Sequence, residues 1–177
     1  MTSDWPSWAT EPVALSSAQP DWPEQAATLR TSLLQQLAPW HITELHHVGS
    51  TAVPGLAAKP ILDLMAATED LGQAAEIAAT LARTGWHYVP PELDGRPWRR
   101  FFVHVVGNHR HAHLQLMQPS TPRWQQQLDF RDRLRQSPVL RRQYQELKVQ
   151  LASTYHDDRE AYSQAKTAFV TKVVTEN

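Results

Sequence analysis

Hydrophobic and polar residues along the first two thirds of the chain follow two periods, one helical and one extended. Apolar residues between Ala26 and Leu37 recur every three or four positions, as on one face of a helix. Shorter runs alternate apolar and polar residues, as in half-buried strands, and Gly or Pro residues separate them. The pattern predicts one helix from Asp21 to before Pro39, a second over 71–84, and strands over 42–48, 60–67, 86–89, 101–106 and 111–117.

From residue 120 onward the pattern is helical only. Pro122 and Pro138 each follow a serine or threonine that can cap a helix, and two aspartates at 157–158 precede a third apolar stripe. Three helices are therefore predicted after the sheet-forming part. The order of elements predicts an α+β fold, with a mixed β-sheet, flanking helices and a C-terminal helical segment.

Length and composition limit the classes of function. A chain of 177 residues with 41% hydrophobic residues fits one domain of ordinary size. The 17 Lys and Arg residues against 18 Asp and Glu give a formal net charge of -1, so bulk binding of nucleic acid is not expected and any phosphate binding must be local. The absence of cysteine excludes disulfides, thiolate catalysis and Cys-based zinc sites. We expect residues 1–12 to be loosely ordered and residues 13–177 to form one domain, with a sheet part over about 13–119 and a helical part over about 120–177.

No segment of the sequence predicts export or insertion into a membrane. The first twenty residues lack the basic and apolar regions of a signal peptide, and nowhere do about 18 apolar residues run together. We expect a cytoplasmic protein without a membrane partner. The sequence leaves the oligomeric state open, although the seven tryptophans would be natural contacts for a partner.

A Gly-Ser turn and one acid stand out as candidate chemistry. Gly49 and Ser50 follow a predicted strand, where backbone N–H groups and a hydroxyl can close on an anion, although a tight turn that binds nothing has the same residues. The segment lacks the Gly-Lys-Ser/Thr ending of a Walker loop. Asp63 lies in an otherwise apolar strand, on the same predicted face as Met65. A buried acid needs a metal, a cation or hydrogen-bond donors beside it, so Asp63 is either a site residue or half of a salt bridge.

Histidines and arginines follow in the later strands. His111 and His113 alternate along one predicted strand, so their imidazoles are expected on one face with Gln115, a fair geometry for a metal. The arginines nearby form either a solvated rim or a set that clamps an anion: Arg96, Arg99, Arg100 and Arg110. Lys148 and Lys166 lie beside or within apolar helix stripes, where surface lysines commonly lie along apolar neighbours.

Two consecutive segments carry a resemblance to a known family. HVGSTAVPGL at 47–56 and AKPILD at 58–63 resemble the signature of the GrpB family, a group within the nucleotidyltransferase superfamily. Later residues resemble the family's motifs in the right order: RFF at 100–102, Arg110 with His113 and Leu114, LDFRDRLR at 128–135, Tyr144 with Leu147 and Lys148, and Tyr162 with Lys166 and Phe169. The resemblance covers nearly the whole chain from about Val13. The family is also similar to an extension of some dephospho-coenzyme A kinases.

The resemblance implies a nucleotidyltransferase-like fold and a set of site residues. In the superfamily a Gly-Ser turn holds phosphate and an acid on the next strand holds a divalent metal, which implies roles for Gly49, Ser50 and Asp63. The implied phosphate-binding set is Gly49, Ser50, Thr51, Lys59, Arg110 and Arg131; the implied catalytic set is Asp63, Arg100, Lys148 and Lys166; and the implied ligands of magnesium or manganese are Asp63, His113 and Gln115. The chain departs from the active pattern at Met65 and Gln115, where an acid and a histidine would be expected.

Three functions remain open on these grounds. The first is a metal-assisted nucleotidyltransferase-like protein that acts on a nucleotide or another phosphorylated small molecule. The second is a non-catalytic nucleotide- or phosphate-binding module with a degenerate metal site, which Met65 and Gln115 favour. The third is a metal-dependent phosphohydrolase that uses His111 and His113.

Overall fold

A five-stranded mixed sheet forms the centre of the protein in the computed structural model, which describes residues 6–175. The strands are β1 Leu45–Val48, β2 Leu62–Ala67, β3 Trp86–Val89, β4 Arg99–Val106 and β5 His109–Met117. The helices are α1 Trp22–Leu37, α2 Ala74–Leu81, α3 Pro91–Asp94, α4 Pro122–Gln136, α5 Pro138–Thr154, α6 Arg159–Ala165 and α7 Thr167–Thr175. The predicted α+β class is therefore confirmed.

The strand order is β1-β2-β5-β4-β3, in which β2 and β5 run parallel and every other pair is antiparallel. The register of the parallel pair places Asp63 beside His113 and Met65 beside Gln115. Two of the residues singled out from the sequence thus lie next to each other although 50 positions separate them.

The two faces of the sheet have different surroundings. Helices α1 and α2 cover one face, where Leu64, Leu114 and Phe102 pack in the main core. On the opposite face α4 covers one end of the sheet, and Met65 packs there in a smaller apolar cluster with Val48, Met117 and Trp124. A third cluster joins α4, α5 and α7 to the loop after β1. The middle of this second face is left to polar side chains.

Most predicted elements form, with shifts at their ends. Strand β1 begins at Leu45 rather than residue 42, because His41 adopts a left-handed backbone with φ 57° and the chain turns there. The helix predicted over 71–84 has α-helical turns only over α2, and its two ends form tighter turns. The helix predicted after Asp158 is divided at Lys166 into α6 and α7. The short helix α3 lies between the predicted strands 86–89 and 101–106, where no element was predicted.

The predicted loose segment 1–12 lies partly outside the described residues, since the structure describes nothing before residue 6. Ser7–Ala9 form one helical turn, and the carbonyls of Trp8 and Ala9 accept hydrogen bonds from Arg110. Among residues 6–175, no helix combines the length and the apolar content needed to cross a membrane.

Candidate functional site

A cavity of about 650 Å³ opens on the polar middle of the second sheet face. Its walls come from the loop after β1, from β2, β4 and β5, and from helices α4 to α7. Most of the residues predicted for the site line it, namely Gly49, Ser50, Thr51, Lys59, Asp63, Arg110, His113, Gln115, Lys148 and Lys166.

The Gly-Ser turn and Asp63 are in direct contact. Gly49 has φ +72°, and a Cβ atom built on it would lie 2.6 Å from Oδ2 of Asp63. A side chain at position 49 would therefore both strain the backbone and overlap the carboxylate. The turn needs glycine because the acid of the next strand packs against it.

Asp63 and His113 form a hydrogen-bonded pair across the parallel strands. Nδ1 of His113 lies 2.9 Å from Oδ1 of Asp63. Burial favours a raised pKa for Asp63, but the bond from His113 and the charges of Lys59 and Lys166 outweigh it and lower the pKa. Burial lowers the pKa of His113, and Asp63 opposes this only in part. A carboxylate therefore accepts Nδ1–H from a neutral imidazole, and Nε2 of His113 is buried without a hydrogen-bond partner among the described residues.

Lys148 ties helix α5 to the Gly-Ser turn. Its side chain is 1% exposed, and Nζ donates hydrogen bonds to Oγ of Ser50, at 3.1 Å, and to the carbonyl of Ala57. The ammonium group also lies 4.9 Å from the centre of the Tyr144 ring. Burial lowers the pKa of Lys148 to about 7, because desolvation disfavours the charged form.

Lys59 and Lys166 bring positive charge to the cavity without a paired acid. Their Nζ atoms lie 5.1 and 4.3 Å from the centre of the same Tyr162 ring. Within residues 6–175 neither ammonium group has a hydrogen bond or an ion pair at contact distance. Burial lowers the pKa of Lys59 to about 7, with a further contribution from Lys166, and burial lowers that of Lys166 to about 8.

Three of the arginines that line the cavity are bound to protein groups. Arg99 pairs with the carboxylate of Asp94 and donates to Oε1 of Gln115. Arg110 donates to the carbonyls of residues 8 and 9, and Arg159 contacts Glu11. From the sequence, Arg99 was named only among the arginines that could clamp an anion, and Arg159 was not singled out. Strand alternation, which puts position 99 on the face of Gln115, was the available signal for the first.

Three residues singled out from the sequence do not join the cavity. Arg100 follows Arg99 in β4, so its side chain starts on the opposite face of the sheet. Its guanidinium donates to the carbonyls of Pro97 and Arg99. Arg131 holds the end of β1 by donating to the carbonyl of His47 and pairs with Asp132. His111 does not share the site of His113, because a register shift in the β4–β5 ladder disturbs the alternation.

The donor set does not fit a pair of magnesium or manganese ions. Such ions prefer several carboxylate oxygens, and Asp63 is the single carboxylate at the position that the superfamily resemblance implies. Met65 is fully buried among apolar side chains, and Oε1 of Gln115 accepts from Arg99. Among residues 6–175 no three His, Cys, Asp or Glu side chains converge on one point. The unpaired positive charge that acts on Asp63 is instead supplied by Lys59 and Lys166.

Comparison with known sequences identifies relatives over most of the chain. The family model described as GrpB protein matches residues 12–176. The UPF0157 protein PA4798 of Pseudomonas aeruginosa is 33% identical over 96% of this chain and 69% of its own length. The UPF0157 protein YqkA of Bacillus subtilis is 33% identical over 77% of this chain but only 38% of its own length. A dephospho-CoA kinase of Mycolicibacterium paratuberculosis is 35% identical over 44% of this chain and 20% of its length.

Comparison with solved structures supports the implied fold. The conserved protein GrpB from Enterococcus faecalis is similar with a TM-score of 0.79 and 30% identity, over 90% of this chain and 94% of that one. The Cid1 poly(U) polymerase is similar with a TM-score of 0.53 and 14% identity, over 85% of this chain and 49% of that one. The nucleotidyltransferase-like fold is thereby confirmed.

The contact between Gly49 and Asp63 predicts a specific stability effect. Gly49→Ala should lower the free energy of unfolding by about 2 kcal/mol more than Gly55→Ala, since both glycines have positive φ but only the first faces a carboxylate. Gly55 is the matched control, with φ +75° and nothing within 4 Å of a built Cβ. Chemical denaturation measures both. Equal losses in the two variants would show that Asp63 does not pack against the turn.

The buried Lys148 predicts a stability that rises with pH. Its pKa is about 7 in the folded protein and ordinary in the unfolded chain, so the unfolded chain holds more protons between these values. The free energy of unfolding should therefore increase from pH 7 to 9.5, by at most about 1.4 kcal/mol per pH unit for one lysine. Lys148→Met should reduce this slope, whereas Lys172→Met at an exposed position should not. An unchanged slope in Lys148→Met would contradict the prediction.

Proposed function

Because the chain belongs to the GrpB family and has a nucleotidyltransferase-like fold, we propose that it binds the phosphate end of a nucleotide or another phosphorylated small molecule in this cavity. The observation that carries the proposal is the pair of lysines over Tyr162. Lys59 and Lys166 face the cavity as unpaired cations, and an anionic ligand would supply the negative partner for both ammonium groups.

Charge balance favours an anion over a cation as the ligand. Asp63 is already shared with His113 and also lies close enough to both lysines to affect their pKa values. A dianionic phosphate placed between the lysines would favour their charged forms and offset the free energy lost by burying them. The Gly-Ser turn offers backbone and hydroxyl donors at the same wall of the cavity.

Metal-assisted nucleotidyl transfer is the second candidate. One observation favours it, namely that Asp63 follows the Gly-Ser turn on the next strand and packs against it. The remaining donors argue against a two-ion centre, since Met65 and Gln115 supply no charge there. A phosphohydrolase that uses His111 and His113 has no support, because His111 does not line the cavity.

Substitution of Asp63 separates the two candidates. Calorimetric titration should show that Asp63→Asn binds nucleoside triphosphates and inorganic phosphate as tightly as the wild type or more tightly, because a negative charge is removed from the cavity. Lys59→Met and Lys166→Met should each weaken binding about tenfold, the typical value of one charged contact. Lys172→Met is the matched control, since it removes a lysine from the same helical region but not from the cavity.

The same titrations are run with and without magnesium and manganese, on a panel that includes coenzyme A precursors. Binding that requires a divalent ion and disappears in Asp63→Asn would favour the metal-assisted transferase. Binding that is indifferent to Lys59→Met and Lys166→Met would overturn the phosphate site itself.

The lysines also predict how binding depends on pH. The affinity for a phosphate monoester should fall as the pH rises from 7 to 9, because Lys59 and Lys166 lose their charges over this range. The ligand itself becomes fully dianionic over the lower part of this range, which alone would strengthen binding. A rise in affinity with pH would therefore show that these lysines do not hold the phosphate.

A further inference from the structure

His111 is the extra residue of a β-bulge. In the β4–β5 ladder His104 pairs with Ala112, and the next pair is Val105 with Arg110, so no residue of β4 lies opposite His111. A regular ladder would place His111 on the cavity face with His113. Bulges commonly redirect one side chain, and here the imidazole of His111 lies against that of His104 instead.

The two imidazoles present nitrogen atoms at the spacing of two metal ligands. Nδ1 of His104 and Nδ1 of His111 are 3.2 Å apart, and the ring planes meet at 67°. A tetrahedral ion with zinc–nitrogen bonds of about 2.0–2.1 Å holds two ligand nitrogens about 3.3 Å apart. The observed distance therefore suits either a hydrogen bond between the rings or a shared ion.

The surroundings of His104 orient it as a ligand. Its Nε2 donates to the carbonyl of Thr84 at 3.1 Å, which leaves the lone pair of the neutral ring on Nδ1. The ring also stacks on Trp86, with 4.9 Å between the ring centres. Burial lowers the pKa of His104 and of His111, which favours the neutral rings at pH 7. A histidine must be neutral to bind a metal ion.

We propose that His104 and His111 form a binding site for a divalent transition-metal ion of the zinc, nickel and copper class. Imidazole nitrogen suits these ions, whereas magnesium and calcium prefer oxygen. Without the ion, Nδ1–H of His111 donates to Nδ1 of His104; on binding, His111 holds its proton on Nε2 and both Nδ1 atoms coordinate the ion. Since no third His, Cys, Asp or Glu converges there within residues 6–175, water completes the coordination.

This site is independent of the phosphate cavity. His104 and His111 do not line that cavity, and their proposed ligand carries the opposite charge. An ion here would join β4 to β5 close to their hairpin, which ends in a turn at Gly107 and Asn108. It should bind the folded chain, in which the two imidazoles are held together, more tightly than the unfolded one, and so raise the melting temperature.

The test is a titration of the metal-free protein of 177 residues with zinc and nickel chlorides. Calorimetry should show one ion per chain, and His104→Gln and His111→Gln should each weaken binding at least about tenfold, the loss of one of two ligands. His156→Gln is the matched control, because His156 is an exposed histidine outside the pair. Copper should bind more tightly than either ion.

A second measurement does not depend on the variants folding. In the wild-type protein, imidazole NMR signals of His104 and His111 should shift together on addition of zinc, with the other seven histidines less affected. Circular dichroism confirms that each variant is folded. Absence of saturable binding, or binding that is unchanged in both His104→Gln and His111→Gln, would overturn the proposal.

Discussion

The contact of Asp63 with Gly49 on one side and His113 on the other is the constraint on which the site depends. A carboxylate on an inner strand is costly to bury unless donors surround it. The parallel register of β2 and β5 supplies the Nδ1–H of His113, and the missing side chain at position 49 leaves room for the second oxygen. The cavity forms where these three residues meet, and they come from three different segments of the chain: the turn after β1, strand β2 and strand β5.

The cations around this contact follow from the same constraint. Lys148 is buried because it holds the Gly-Ser turn through Ser50 and the carbonyl of Ala57. Lys59 and Lys166 have no such structural bonds, yet they share the ring of Tyr162 and feel the charge of Asp63. Lys59 and Lys166 are partly buried, and charges left partly buried and unpaired in a folded protein lower its stability; such arrangements are typical of binding sites. The hydrogen bonds of Lys148 assign it to support of the turn. Lys59 and Lys166, which have no such bonds, are the lysines left for binding a ligand.

The sequence allowed most of the fold to be predicted, since hydrophobic periodicity marks α1, the strands and the later helices. It also predicted that Gly49, Ser50 and Asp63 belong to one site, because the turn and the acid lie in consecutive segments of the chain. Contacts that depend on which face of a strand a residue occupies were not predictable. One position separates Arg99, which faces the cavity, from Arg100, which does not. The bulge at His111 leaves no mark in the sequence pattern, and the role of Arg131 as a donor to the carbonyl of His47 depends on tertiary packing.

Position 65 is methionine where the superfamily resemblance implies an acid, and this difference affects the whole site. Met65 fills an apolar cluster with Val48, Met117 and Trp124, so the sheet below the cavity is packed rather than acidic. An acid there would need to be buried next to Asp63, and two carboxylates without a metal repel each other. With the cluster in place, one carboxylate remains. The positive charge comes from Lys59 in the loop before β2, from Lys148 in α5 and from Lys166 between α6 and α7. Lysine charge differs from metal charge in that it is part of the folded chain and responds to pH, so under the proposed function the strength of phosphate binding follows the protonation of the protein itself.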